Sequence, residues 1–170
     1  MLSIHEKQYK FCPSCKNPLK LKEIDGRKRL NCTKCGFIFW NNPKSVTSIL
    51  LHKGKDILLL KRAKEPLKDY WCFPGGYVNY DETVEQVLKR EASEEIGVSI
   101  KINGLIGVYR IDNDPRGINL DLIYEGEIAK GKIRLSDEHS EYKFFSPDKL
   151  LLKIAYKHQQ AIEDWRKNSI

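Results

Sequence analysis

The segment from Thr83 to Gly97 constrains the fold more than any other stretch of this chain. Thr83 and Gln86 have the spacing of a capping box, and Gly97 is placed to end a helix. The sequence therefore predicts a helix from about Thr83 to Ile96. At about 100° per residue, its apolar side chains share one side, which must pack against another element: Val84, Val87, Leu88, Ala92 and Ile96.

Three glutamates of this helix lie where a surface helix would not place them. Glu91 and Glu95 each follow an apolar residue of the stripe by seven positions, so both project into its middle, and Glu94 lies at its edge. Such carboxylates repel one another and titrate abnormally unless a cation neutralises them. Carboxylate oxygens are the ligands that Mg²⁺ prefers. The alternative is a set of intrahelical ion pairs with Lys89 and Arg90.

Around this helix the pattern interleaves strands with helices, which indicates a mixed α/β or α+β domain. A short turn of helix is predicted at Ser146 to Asp148, and a closing helix from Ala155 to Lys167. The predicted strands are Lys20 to Ile24, Lys28 to Asn31, Val46 to His52, Ile57 to Lys61, Ile100 to Ile111, Ile118 to Ile128 and Tyr142 to Phe145.

Four of the five cysteines form two Cys-x-x-Cys pairs, separated by a 16-residue spacer that contains a predicted hairpin turn at Asp25 to Arg27. This spacing predicts a tetrahedral zinc site with the ligands Cys12, Cys15, Cys32 and Cys35. Four thiolates leave no open coordination position, so the site is expected to be structural, with Zn²⁺ supplying much of the folding energy. The alternative is four free or redox-active thiols. The fifth cysteine, Cys72, is interpreted as a small buried hydrophobic residue.

The net charge of +7 belongs almost entirely to the first quarter of the chain. Up to Pro43 there are nine Lys/Arg against three Asp/Glu, and from Lys44 onward 21 against 20. We expect the basic segment to orient substrate, to form a dimer contact or to be solvated, with nucleic-acid binding as the alternative. No apolar run reaches about 18 residues and no signal peptide is evident, so we expect a cytoplasmic protein that binds no membrane.

The stretch from Gly76 to Val98 resembles the Nudix box, Gly-x5-Glu-x7-Arg-Glu-U-x-Glu-Glu-x-Gly-U, where U is a bulky apolar residue. Its one departure is Ala92, which stands at an apolar position where a larger residue is common. The flanks, Trp71 to Gly76 and Leu58 to Arg62, also look like those of the family. The matching residues are Gly76, Glu82, Arg90, Glu91, Ala92, Glu94, Glu95, Gly97 and Val98.

The resemblance implies a Nudix hydrolase domain over 44–170, an α/β/α sandwich with a mixed sheet, preceded by a zinc ribbon and linker over 1–43. Similar ribbons occur in some Nudix enzymes, including NADH pyrophosphatases. By this resemblance, Mg²⁺ or Mn²⁺ is held by the Gly76 carbonyl and the three helix glutamates, Glu91, Glu94 and Glu95, and Arg90 pairs with Glu82. The general base is Glu94 or Glu95, or a glutamate of a later acidic loop: Glu138 or Glu141, whose alternative role is solvated surface.

The substrate implied is a nucleoside diphosphate-linked small molecule. The Ser-Gln-Pro-Trp-Pro-Phe-Pro stretch of NADH pyrophosphatases is absent, whereas Asp114-Pro115-Arg116-Gly117 resembles the ADP-ribose pyrophosphatases. The alternative is that these residues have no role in substrate binding and only shape a loop. We therefore expect hydrolysis of ADP-ribose to AMP and ribose 5-phosphate by a protein that can form a homodimer. The alternatives are NADH or another dinucleotide, a nucleoside triphosphate, capped RNA, or a nucleic-acid-binding regulator with a Nudix ligand-sensing domain.

Overall fold

The computed structural model describes residues 9–150 and 152–168. The chain forms two compact units, Met1–Pro43 and Lys44–Ile170. Each unit has a sheet of its own, with three strands in the first and seven in the second. In the part of the chain that is described, no helix is both long and apolar enough to cross a membrane.

The first unit is an antiparallel sheet in which β2 is the central strand. Asp25 and Gly26 connect the first two strands, and both have positive φ angles, of 52° and 69°. A two-residue loop with both central residues in this region matches the twist of the strands that it joins. The predicted hairpin is therefore confirmed. Its strands are β1 (Lys20–Ile24), β2 (Arg27–Asn31) and β3 (Ile38–Phe39).

In its described residues, the second unit contains a mixed sheet and two helices. Its strand order is β10-β5-β4-β9-β8, in which only β4 and β9 are parallel neighbours. The strands are β4 (Lys44–Lys53), β5 (Asp56–Arg62), β6 (Trp71–Cys72), β7 (Gly75–Tyr77), β8 (Ser99–Ile111), β9 (Asn119–Lys130) and β10 (His139–Phe145). The helices are α1 (Val84–Ile96) and α2 (His158–Asn168), and a 3₁₀ turn covers Pro147–Lys149.

The two helices pack on opposite faces of this sheet. Ile49 and Leu51 of β4 belong to a buried cluster with Leu88 of α1, whereas Leu50 between them belongs to a second cluster with Ile162 of α2. A strand covered on both faces needs apolar residues at successive positions, which explains its continuous apolar run. The expected α/β/α sandwich with a mixed sheet is thus confirmed.

The central strands β4 and β5 separate at one end, and this separation makes room for a site. They pair only beside their shared turn, through His52 with Ile57 and Lys53 with Asp56. Farther from the turn, the segment 71–77 pairs with both of them, β6 with β5 and β7 with β4. The segment therefore brings the predicted box loop into the sheet.

The predicted long strands are confirmed, but three short ones, β3, β6 and β7, were not predicted. The closing helix begins at His158, three residues later than predicted from Ala155. Tyr156 explains the delay, because its φ of 55° lies in the left-handed region and a right-handed helix cannot include it.

Candidate functional site

Helix α1 is fixed at both ends by the residues that predicted it. The Thr83 hydroxyl accepts a hydrogen bond from the Gln86 backbone N–H, and the Gln86 side chain accepts one from the Thr83 N–H. Gly97 ends the helix with a φ of 67°, and its N–H donates to the last turn. The caps fix where the helix begins and ends, and the burial of Leu88, Ala92 and Ile96 in the core sets its rotation and so the direction of its acidic side chains.

The three glutamates of α1 differ in their exposure. The side chain of Glu95 is 8% exposed, that of Glu91 is 14% and that of Glu94 is 60%. Burial raises the pKa of Glu91 and raises that of Glu95 well above its ordinary value, because a carboxylate loses hydration there. The Gly75 N–H donates to Glu95 at 2.9 Å, which holds one carboxylate oxygen at the box loop.

Arg90 connects the loop to the helix acids. Its Nε and Nη2 donate to the two oxygens of Glu82 at 2.6 and 3.1 Å. Its Nη1 donates to Glu91 at 2.8 Å and to Glu94 at 3.0 Å. The hydrogen bonds from Arg90 lower the pKa of Glu82. One guanidinium therefore orients three carboxylates, with a two-point contact to Glu82 that fixes its plane.

Gly76 lies against the Glu91 carboxylate. A Cβ built on Gly76 would lie 2.0 Å from Glu91 Oε1 and 2.6 Å from its Cδ. A Cβ fits there only if the Glu91 carboxylate moves, so glycine at this position permits a close approach rather than supplying backbone freedom. The loop backbone at Gly76 and the carboxylate of Glu91 are thus adjacent.

The donor set fits a hard divalent cation. Buried carboxylates repel one another, and repulsion from Glu138 adds to the raised pKa values of Glu91 and Glu95. A cation with oxygen ligands relieves both the repulsion and the cost of burial. The oxygens of the helix glutamates do not all lie within 4.8 Å of one another. Within the described ranges, only the four cysteines form a set of three or more potential ligands that meets this distance.

The two later glutamates occupy different places. Glu138 lines the same cavity as the helix acids, and its backbone carbonyl accepts a hydrogen bond from the Ala63 N–H. Glu141 instead lies in strand β10, opposite Lys61, and it is exposed and does not line the cavity. The acidic run indicated a loop, but Glu141 does not belong to one, because strand β10 begins at His139.

The opposite wall of the cavity carries an ion pair between Asp114 and Arg116. The guanidinium donates to both carboxylate oxygens, and the Arg116 backbone N–H donates to Oδ1 at 2.8 Å. Burial raises the pKa of Asp114, but the hydrogen bonds from Arg116 outweigh it and leave the pKa below its ordinary value. Asn119 donates to the same carboxylate at 3.3 Å. The loop that resembled ADP-ribose enzymes thus presents a fixed cation to the cavity.

A second buried network lies beside this pair. The Ser48 hydroxyl and His158 Nε2 both contact Asp121 Oδ2, at 3.1 and 3.3 Å. His158 Nδ1 accepts from the Phe73 N–H at 2.9 Å, so the proton of a neutral ring is on Nε2, which donates to Asp121. The side chains of Asp121 and His158 are 1% and 2% exposed. Asp121 is therefore held in one position by two donors.

Three buried polar atoms on this side of the cavity have no hydrogen-bond partner among the described residues. They are the Tyr77 hydroxyl, Asn119 Oδ1 and Asp121 Oδ1. An unsatisfied buried polar atom costs about 1–3 kcal/mol, and such atoms are rare in folded proteins. All three residues line a cavity of about 350 Å³ together with the acids of α1. Their unused hydrogen-bonding capacity indicates a place for a polar ligand.

The sequence singles out the Asp114–Gly117 loop of this wall, but not Asn119, Asp121 or His158. The usable signal was alternation in β9, where Asn119 and Asp121 share the buried side with Ile123. No local spacing in the sequence connects His158 with Asp121, because the two residues are 37 positions apart along the chain. Cys72 is buried, as expected.

The four paired cysteines converge in the first unit. Cys15 Sγ lies 3.4 Å from the Sγ atoms of both Cys32 and Cys35, and Cys12 Sγ lies 3.5 Å from that of Cys35. The Lys16 and Gly36 N–H groups donate back to the carbonyls of the first cysteine in each pair, which curls each pair into a turn. The arrangement fits a tetrahedral metal ion with four sulfur ligands.

Comparison with known proteins agrees with this geometry. The model of the NUDIX domain matches residues 41–165, and the model of the Nudix N-terminal zinc ribbon matches residues 10–41. An ADP-ribose pyrophosphatase of Methanocaldococcus jannaschii is 34% identical over 125 residues, which span 73% of each protein. A MutT-like protein of Streptomyces ambofaciens is 31% identical over 111 residues, 65% of this chain and 68% of that protein.

A crystal structure of a NUDIX hydrolase from Nitrosomonas europaea has the same fold, with a TM-score of 0.77 over 94% of this chain and 93% of that one, at 24% identity. This chain therefore belongs to the Nudix hydrolase family. It is a hydrolase of nucleotide-derived compounds, with an N-terminal segment of the zinc-ribbon type.

Proposed function

We propose that the second unit hydrolyses the diphosphate bond of a nucleoside diphosphate derivative and that its preferred substrate is ADP-ribose. The observation that carries this proposal is the two-walled cavity, with acids from α1 on one side and unpartnered polar atoms on the other. A diphosphate joined to a nucleoside needs both walls. The similarity to a protein named ADP-ribose pyrophosphatase supports the choice of substrate.

In this proposal Glu91, Glu94, Glu95 and the Gly76 carbonyl hold Mg²⁺ or Mn²⁺. Burial of two of these carboxylates, the contact of Gly76 with Glu91 and the oxygen-only donor set support the assignment. Such a cation, when bound, offsets the charge of the diphosphate and lowers the pKa of a coordinated water. Arg90 and Glu82 are positioning residues, because Arg90 orients the helix acids while Glu82 anchors its guanidinium.

The general base is assigned to Glu138. It lines the same cavity as the helix acids, whereas the carboxylates of Glu91 and Glu95 already accept hydrogen bonds from Arg90 and the Gly75 N–H. Glu138 accepts a proton from the water that attacks phosphorus; a P–O bond forms to the water oxygen and the bridging P–O bond breaks. One water is consumed, and AMP and ribose 5-phosphate are released. Glu94 is the next candidate, and Glu141 is the weakest because it lies outside the cavity.

The second wall is proposed to bind the nucleoside and its phosphates. Arg116, held in place by Asp114, contacts a phosphate oxygen through a charge-assisted hydrogen bond. Asn119 Oδ1 and Asp121 Oδ1 accept hydrogen bonds from amino or hydroxyl groups, and the Tyr77 hydroxyl is available to donate or accept one. The Arg116 guanidinium carbon also lies over the Tyr77 ring, 5.3 Å from its centroid, so the wall combines a cation with an aromatic ring.

We also propose that residues 1–43 act as a zinc-ribbon domain with a linker, and that 44–170 act as the hydrolase domain. The convergence of Cys12, Cys15, Cys32 and Cys35 supports structural Zn²⁺ in the first. The two compact units support the division. The proposal makes zinc a requirement for folding of the first unit and not for the chemistry of the second.

A substrate screen with a matched variant tests the proposed activity. The protein is incubated with ADP-ribose, NADH, a capped dinucleotide or nucleoside triphosphates, with Mg²⁺ or with EDTA, and products are separated by chromatography. Glu94→Gln is compared with Glu85→Gln, the same change on the same helix at an exposed residue that pairs only with Lys89. We expect metal-dependent release of AMP and ribose 5-phosphate from ADP-ribose, lost in Glu94→Gln and kept in Glu85→Gln.

Each other outcome removes a part of the proposal. Faster turnover of a triphosphate, a dinucleotide or a cap replaces ADP-ribose as the substrate but keeps the site. Equal activity of the two variants overturns the assignment of the metal ligands. Binding of ADP-ribose without turnover of any compound supports a ligand-sensing regulator instead.

A further inference from the structure

One face of the three-stranded sheet in the first unit carries a row of side chains that crosses the sheet. Lys22 of β1 is the register partner of Arg29 in β2. The pairing of Leu30 with Phe39 places Trp40 next to Arg29 in the same row. Side chains of directly paired residues lie on the same face, and the Arg29 guanidinium carbon is indeed 4.6 Å from the centroid of the Trp40 ring.

The charges on this face all have one sign. Lys20 and Arg27 share the face because each lies two positions along a strand from a residue of the row. The acidic residue of the hairpin strands, Glu23, lies on the other face, where Lys28 is its partner. None of the four basic residues forms an ion pair with another described residue. Like charges directly opposite each other destabilise a strand pair, so a bound anion stabilises it.

Trp40 and Arg29 form an exposed stacking surface within this charge. The Trp40 side chain remains 45% exposed although the guanidinium covers one side of it. Arg29 Nη1 donates to the Trp40 carbonyl at 2.7 Å, which fixes the stack. Arg29 Nε is enclosed and has no hydrogen-bond partner among the described residues, so the guanidinium keeps unused donor capacity.

We propose that this basic face, made of Lys20, Lys22, Arg27, Arg29 and Trp40, binds single-stranded nucleic acid. Four cations along two strands follow a phosphate backbone, and an exposed aromatic ring beside them stacks on an unpaired base. A duplex offers no unstacked base to Trp40, and an anionic membrane needs only the charges. The ring within the row therefore favours the single strand over both.

Binding is measured by fluorescence anisotropy of fluorescein-labelled oligouridine and oligothymidine with the zinc-loaded full chain, in buffer without Mg²⁺. If four phosphate contacts form, affinity falls about 50-fold between about 50 and about 200 mM salt, from a slope of about −0.7 per contact. In the double variant Lys20→Gln/Lys22→Gln the same salt change weakens binding only about sevenfold, because two contacts remain. Trp40→Ala weakens binding at least about fivefold and leaves the salt slope unchanged.

The matched control is Lys28→Gln/Lys34→Gln, which removes the same charge from exposed positions outside the face. It is expected to keep wild-type affinity and salt slope. Zinc content and circular dichroism are measured for every variant to check that it is folded, so that a loss of binding can be assigned to the basic face. Equal weakening in the two double variants reduces the effect to net charge and overturns the proposal. So does the absence of saturable binding.

Two competitors separate the other occupants. An unlabelled duplex of the same length must compete poorly, and equal competition overturns the preference for single strands. Vesicles containing phosphatidylglycerol must bind more weakly than the oligonucleotide. Tight binding to vesicles that Trp40→Ala does not affect replaces the proposal with an anionic-surface contact.

Discussion

Replacing Gly76 by alanine tests whether the position of one carboxylate controls catalysis. The added Cβ would lie 2.0 Å from Glu91 Oε1, and ordinary van der Waals contact begins at 3.4 Å. The difference, 3.4 − 2.0, requires the carboxylate oxygen to move about 1.4 Å. A misplacement of about 1 Å in a reacting assembly costs about 100-fold in rate. We therefore expect kcat/KM to fall about 100-fold, which equals about 2.7 kcal/mol of transition-state stabilisation.

The same substitution should leave the fold nearly intact. The clashing atoms belong to the end of a flexible side chain, which can rotate away, and replacing glycine also lowers the entropy of the unfolded chain. We expect the free energy of unfolding to change by no more than about 1 kcal/mol. Gly75→Ala differs, because its Cβ would meet the Thr47 backbone carbonyl at 2.3 Å, and backbone cannot rotate away. That variant should lose stability as well as activity.

The assay combines initial rates of AMP release with thermal unfolding followed by circular dichroism. Gly104→Ala is the control, since a Cβ there meets nothing within 4 Å. It should retain wild-type kcat/KM. If Gly76→Ala keeps its kcat/KM within about threefold of wild type while Gly104→Ala behaves as expected, the inferred dependence on the placement of Glu91 is wrong.

Three further predictions concern other parts of the chain. In initial-rate kinetics, Arg116→Gln should raise KM about tenfold and change kcat by less than about twofold, because a charge-assisted contact to the substrate is lost. An unchanged KM would show that Arg116 is not part of the binding site. Cys32→Ser should abolish stoichiometric zinc, measured by release to a colorimetric chelator, and an unaltered zinc content would contradict the four-sulfur site. Burial raises the pKa of Glu95 well above 4.5, so in Mg²⁺-free buffer the ionisation of Glu95 opposes folding. As pH rises above about 4.5, the melting temperature of wild type should therefore fall relative to that of Glu95→Gln. A rise relative to the variant would refute this sign.

Elements with strong local signals could be predicted from the sequence. Helix α1 has a capping residue at each end and an apolar stripe between them, so its bounds and its buried glutamates followed from spacing alone. The apolar runs Ile49 to Leu51 and Ile57 to Leu60 identify β4 and β5, because strands covered on both faces need such runs. In each case the interaction that decides the structure lies within a few residues.

The remainder depends on contacts between distant residues. Strands β6 and β7 exist because β4 and β5 separate, and no local pattern in Trp71 to Tyr77 reports that separation. The contact of Asp121 with His158 joins a strand to the start of the last helix, and it defines half of the cavity. The sequence therefore predicts the acidic wall and the Asp114–Gly117 loop, whereas the placement of Asn119, Asp121 and His158 beside that loop depends on the fold.

The lining of the cavity comes from several stretches of chain. The segment 76–95 supplies Tyr77 and the acids of α1, and Glu138 comes from the turn before β10, whereas most of the second wall comes from strand β4, the 111–121 region and the start of the closing helix. Under the proposed function, substitutions in 112–121 would change the nucleotide that binds while the acids of α1 stay in place. A duplicated gene would then acquire a new substrate without rebuilding its catalytic acids.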